Sequence, residues 1–200
     1  MQNNTNLFKR QGESASKELV ADRMVALYPK SNERIKSLMQ KVPLTSKVLF
    51  DYKQQKGISK EWKSWAWEML ENGMETPGIV QLAGEDLDMN IFEFNSLVCT
   101  IFQELGIDLS NDDAYYQYAL GIAHQVVNGE ISSEKGFKIL TSTAIDTGYH
   151  DAFMNFYYLQ DEAELIRDGI YESNNDGSMR KENIEEWMYQ YFEKLIKINE

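Results

Sequence analysis

One cysteine, two histidines and three prolines in 200 residues each remove a class of protein. With Cys99 alone, no intrachain disulfide forms, and a zinc site built on thiolates has too few ligands. His124 and His150 are too few imidazoles for a transition-metal centre. The dipeptide His150-Asp151 matches one used by metal-dependent phosphohydrolases, whose sites need further histidines that this chain lacks. The Glu-x-x-His pairs of a di-iron or di-manganese bundle are absent as well. No apolar run approaches the ~20 residues that cross a bilayer. The opening Met1 to Asn6 is polar, unlike a secretory signal. A reducing, cytoplasmic setting is the expectation.

Positive charge is scarce and unevenly placed. The net charge is −12. Residues 1–60 hold twelve Lys and Arg against five acids, net +7, and the remaining 140 hold eight against twenty-seven, net −19. Between Lys63 and Lys135 there is no Lys or Arg, against thirteen acids from Glu68 to Glu134.

What is present is helical punctuation. Gly73, Gly84, Gly106, Gly129, Gly148 and Gly169 each follow an amphipathic run, where a helix ends in a left-handed residue. Thr76-Pro77 reads as an N-cap with a first-turn proline, and Asn90 with Glu93 as a capping box. Ser110 with Asp113, and Ser132-Ser133-Glu134, are further starts. At 100° per residue Ile91, Phe94, Val98, Ile101, Phe102 and Leu105 share a stripe, and so do Trp62, Trp65, Ala66 and Met69. A third stripe joins Ile184, Trp187, Met188, Tyr191 and Leu195. Residues 114–127 are apolar around most of the circumference, which places that helix centrally. The spacing predicts helices near 13–28, 31–41, 45–56, 59–72, 77–83, 90–105, 111–128, 133–147, 151–168 and 181–198. Phe153 to Leu159 is dense enough in aromatics to suit a strand, but a lone strand has no partner.

Trp67 to Gly84, with Leu70-Glu71-x-Gly73, Thr76-Pro77 and Leu82-Ala83-Gly84, resembles a family of small acidic bacterial proteins without an assigned activity. The resemblance continues through Ala123 to Gly136 and Phe156-Tyr157-Tyr158-Leu159, over about residues 60–170. It implies a helical fold and no catalytic residues.

Catalytic patterns are missing. No Gly-x-Ser-x-Gly, phosphate-binding glycine loop or dinucleotide fingerprint occurs. Cys99, along an apolar helix, is expected as a small core residue. Glu172 to Asn183 overlays a calcium loop through Asn174, Asp176, Gly177 and Met179, but Asn183 stands where a bidentate Glu is needed. No cofactor or metal is expected.

These readings combine into an all-α, single-domain multi-helix bundle or irregular α array. The basic helical segment 1–57 packs on the acidic core 58–200. The expected function is a non-enzymatic interaction module whose acidic surface binds a basic protein, in the manner of an immunity protein or antitoxin. Its candidate residues are Glu68, Glu71, Glu75, Glu85, Asp86, Asp88, Asp108, Asp112 and Asp113. The alternatives are a hydrolase built from scattered carboxylates, and nucleic-acid binding through the basic segment. The latter is disfavoured because the acidic remainder repels a polyanion. No membrane partner is expected.

If segment 1–57 docks on the acidic remainder, apolar positions such as Leu19, Met24, Leu27, Leu38, Val48 and Phe50 supply most of the docking energy, because exposed ion pairs contribute only about 0–1 kcal/mol each. Deleting residues 1–57 should lower the urea midpoint and promote aggregation; equal midpoints for the full and truncated chains would sink the docking model.

Overall fold

The structure, a computed structural model, describes residues 33–108, 113–170 and 179–199. The helix expected over 13–28, with Leu19, Met24 and Leu27, lies outside the described residues, as do the Ser110 cap and residues 172–178 of the calcium-like loop. Among the described residues there are nine α-helices and no strand. They are α1 (Glu33–Lys41), α2 (Thr45–Lys53), α3 (Lys60–Glu71), α4 (Pro77–Gly84), α5 (Ile91–Leu105), α6 (Asp113–Val127), α7 (Ser133–Asp146), α8 (Asp151–Arg167) and α9 (Ile184–Asn199).

The helix ends follow the sequence signals. Thr76 accepts from the Ile79 N–H, Asn90 from the N–H groups of Phe92 and Glu93, and Ser132 from that of Lys135. Five of the six punctuating glycines have φ between 66° and 76°. Gly84 departs: it is the last residue of α4, and the chain leaves extended through Glu85 at φ −67°, ψ 152°. At the α7–α8 turn Tyr149 is itself left-handed at φ 64°, and its N–H donates to the Ala144 carbonyl at 2.6 Å. The aromatic run Phe153 to Leu159 is helical within α8.

Two apolar clusters form the interior. One gathers α1 to α5 around Ile35, Leu38, Trp62, Trp65, Phe94 and Ile101. The other gathers α6 to α9 around Phe137, Leu140, Phe153, Phe156, Met188 and Phe192. Helix α2 belongs to both: Val48 and Leu49 face the first cluster, while Phe50 enters the second. There its ring stacks on Tyr118 at 4.3 Å between centroids and meets Phe153 edge-on at 6.2 Å. The crossing of α2 on α6 is close because Gly121 has no Cβ; one added there would lie 2.2 Å from the Ser46 hydroxyl oxygen. Helix α6 also packs on α7, α8 and α9, as its apolar circumference predicts.

Two positions depart from the wheel. Ile91 lies in the α5 stripe but is more than a third exposed, on the first turn of the helix beside Gly57. Cys99 is exposed, not a core residue: it stands one position past Val98, about 100° off the stripe, with its sulfur 3.3 Å from the Tyr52 hydroxyl.

Three basic side chains of α1 and α2 are used internally. Arg34 Nε donates to the Leu105 carbonyl at 2.9 Å, and Lys36 Nζ to that of Asn199 at 3.1 Å. Both are helix-terminal carbonyls, where the backbone lacks partners and its dipole attracts a cation. Lys47 pairs with Asp51, which is 3% exposed, and Lys56 Nζ lies 3.2 Å from the same carboxylate.

Several tyrosine hydroxyls resist ionisation. The hydrogen bond to Cys99, together with burial, pushes Tyr52 up to about 12. Burial raises Tyr118 and Tyr191 as well. The unfolded chain loses these protons near pH 10, while the folded chain keeps them. Their contribution to stability is therefore complete below pH ~10 and declines as pH rises from there toward the raised folded values. Urea midpoints should be level from pH 8 to 9.5 and drop between pH 10 and 12; Tyr52→Phe should flatten part of that drop.

Candidate functional site

Of the carboxylates singled out by the sequence, Glu68 and Glu71 sit on α3, while Glu75, Glu85, Asp86, Asp88 and Asp108 lie in the connections that border α4 and α5. On α3, Trp62, Trp65, Ala66 and Met69 turn inward, leaving Trp67 55% exposed on the far side. Glu68 is half-buried and Glu71 exposed, near enough that the charge of Glu71 adds to burial in raising the Glu68 carboxyl. Glu75 lies in the turn that follows. Thr76 then opens α4, and its hydroxyl donates to Glu104 Oε2 at 2.6 Å while the Gly78 N–H donates to the same oxygen at 3.0 Å. Glu104, an exposed residue of α5, thus caps α4, its negative charge set at the N-terminal end of that helix. Gly78 permits this approach, since a Cβ there would fall 2.6 Å from Ile101.

That tie fixes the direction of the face. It holds the Glu75 turn beside the C-terminal end of α5, while Glu85, Asp86 and Asp88 lie in the loop that leads into its N-terminal end. The fifteen residues of α5 rise about 22 Å, so the acidic set is spread between two ends, not gathered at one point. Asp108 is exposed just past α5 at the Glu75 end. Asp112 lies outside the described residues, and Asp113 opens α6 with no description of its side chain. Gln81 Nε2 donates to Glu85 at 2.9 Å.

The face also projects apolar side chains that the acid pattern did not mark. Val80, Leu87 and Ile91 are exposed, and Phe92 is 82% exposed. The Asn90 side chain accepts from the Phe92 N–H at 3.0 Å, fixing Phe92 on the first turn of α5. The signal was available: Phe92 lies about 160° from Phe94 on the wheel, opposite the buried stripe.

Beside this face, α2, α3 and α6 enclose a cleft of about 460 Å³. Pro43, Leu44 and Ile122 give it apolar walls; Lys47, Glu61, Glu68, Tyr118 and Gln125 give it polar ones. Glu61 is exposed on the first turn of α3, where the charges of Lys47 and Lys60 help to hold its carboxyl below the usual range. A more enclosed cavity of about 260 Å³ lies between α1, α6 and α9, walled by Met39, Leu120 and Ile196 with Gln117, His124 and Gln125.

Among the described residues no three of His, Cys, Asp and Glu converge. His150 caps α8, its Nδ1 accepting from the Ala152 N–H at 3.2 Å, with its ring 4.3 Å from that of Tyr115. Asp51 is the one carboxylate buried among the described residues, and it meets two lysines instead of a second acid. No described helix is long and apolar enough to cross a membrane. The chain matches no protein-family model, no curated protein and no solved structure at a significant level.

Removing the Glu104 carboxylate leaves two α4 donors without their acceptor. Glu104→Ala should destabilise the fold by about 1–2 kcal/mol, read as a lower urea midpoint, with Glu104→Gln intermediate because its amide oxygen still accepts.

Proposed function

We propose that the protein is a non-enzymatic interaction module that binds a basic protein through the face built by α3, α4 and α5. The observation that carries this is Phe92, 82% exposed at the N-terminal end of α5 beside Glu85, Asp86 and Asp88, in a stretch from Ser64 to Glu134 without a lysine or arginine. A projecting aromatic inside a carboxylate rim has the make-up of a binding anchor. The ring supplies desolvation energy, and the rim supplies attraction and selection against acidic surfaces. Trp67 on α3 and Val80 on α4 are further exposed apolar side chains.

The two other readings draw less support. A hydrolase with scattered carboxylates needs acids that converge in a cavity; Glu61 and Glu68 share the α2–α3–α6 cleft, but no third metal-ligating or acid–base residue of the His, Cys, Asp and Glu set joins them among its lining residues. Nucleic-acid binding needs available cations; among the described residues Arg34, Lys36, Lys47 and Lys56 are engaged by carbonyls and Asp51, while Lys9, Arg10, Lys17, Arg23 and Lys30 lie outside the described residues. The resemblance to small acidic bacterial proteins without an assigned activity agrees with the binder reading, as does the logic by which acidic bundles neutralise basic toxins.

The test compares the wild-type chain with Phe92→Ser and with the triple variant Glu85→Gln, Asp86→Asn, Asp88→Asn as baits at low salt. A basic partner should bind the wild type and weaken about tenfold with Phe92→Ser, the loss of one anchor of 1–2 kcal/mol. The triple variant should mainly slow association and reduce the salt dependence. Partners that are acidic, or that ignore both changes, would overturn the reading.

A further inference from the structure

We propose that the cleft between α2, α3 and α6 seats the side chain of an arginine or lysine from the basic partner; this rests on the function proposed above and names the anchor point. The cleft, about 460 Å³, joins apolar walls of Pro43, Leu44 and Ile122 to a carboxylate at Glu68. An aliphatic stem ending in a cation matches that division: methylenes lie along the walls and the head reaches the acid.

The charges in the cleft point the same way. Lys47, its own cation, is committed to the buried carboxylate of Asp51. Glu61 is exposed, and the nearby charges of Lys47 and Lys60 favour its ionised form. Glu68 has no such support. Burial and the neighbouring charge of Glu71 both work against its ionised form, so an arriving cation relieves a penalty already present in the free protein. Each wall is also fixed in advance. The Ser46 hydroxyl donates to the Pro43 carbonyl at 3.2 Å, and Trp65 Nε1 donates to Thr45 Oγ1 at 3.0 Å, tying α3 to α2 in the interior. A preformed cleft spares the guest the cost of ordering its host.

The geometry also sets a direction for pH. Pairing with a cation favours the ionised carboxyl, so binding releases a proton where Glu68 is partly protonated, and affinity falls as the solution is acidified through its raised value.

The probe is acetyl-arginine amide, with acetyl-citrulline amide as its uncharged twin, followed by amide chemical shifts of the full chain. Arginine amide should shift Glu68, Tyr118, Ile122 and Gln125 in one saturating, millimolar response that citrulline amide does not reproduce. Glu68→Gln should weaken it at least fivefold while leaving the urea midpoint in place. Equal responses to the two probes, shifts located elsewhere, or indifference to Glu68→Gln would overturn the assignment. The two proposals fail separately. A basic partner that depends on Phe92 but ignores Glu68→Gln removes the cleft and keeps the face. A seated arginine amide with no basic partner overturns the occupant, because the guest is then a free small cation.

Discussion

The packing of α2 on α6 joins what are otherwise two separate apolar clusters. Its tolerance is set by one missing methyl at Gly121, against Ser46, and its adhesion by Phe50 stacked on Tyr118. Fully burying a side chain of that size contributes about 1.5–3 kcal/mol, and the edge-on rings of Phe153 and Tyr115 add to it. Everything proposed about function inherits this joint. The cleft is the opening left where α3 meets the crossing, so its width follows from how closely α2 and α6 approach.

The charge division of the chain acquires a structural meaning beyond attraction between two halves. Arg34 and Lys36 end on carbonyls at the C-terminal ends of α5 and α9, places where a backbone dipole and unpaired acceptors favour a cation. On the other side of the ledger, Glu104 serves the N-terminal end of α4. Opposite charges are thus spent on opposite helix ends. What remains on the α3–α5 face is an excess of negative charge next to exposed apolar side chains such as Phe92.

How much of this was legible depends on range. Helix existence and most ends were readable because their causes are local: Asn90 caps from its own position, and left-handed glycines follow their own helices. The acidic stretch was readable as composition. Glu104 was not, since its role as a cap depends on a turn 28 residues away, and nothing in Gln103-Glu104-Leu105 announces it. Cys99 departs from its sequence expectation because an apolar neighbourhood in sequence is not one in space; a single residue of rotation separates Val98 inside from Cys99 outside. The cleft could not be read from sequence at all, as it draws on Pro43, Glu68 and Gln125 from three elements. Such coincidences arise only when helices cross.

The α2–α6 joint also has a consequence for the order of events during folding. Phe50 and Tyr118 are roughly 70 residues apart, so the stacking that unites the clusters closes a long loop, and the entropy of that closure must be met before the contact rewards it. On a ribosome releasing the chain from its N-terminus, α1 to α5 emerge with Phe50 still lacking its ring partner. The first half can therefore gather its own cluster early, but it stays adhesive along one side of α2 until α6 is made. Exposed apolar surface of this kind favours wrong association, and Phe50 is open to it in the interval before α6 arrives.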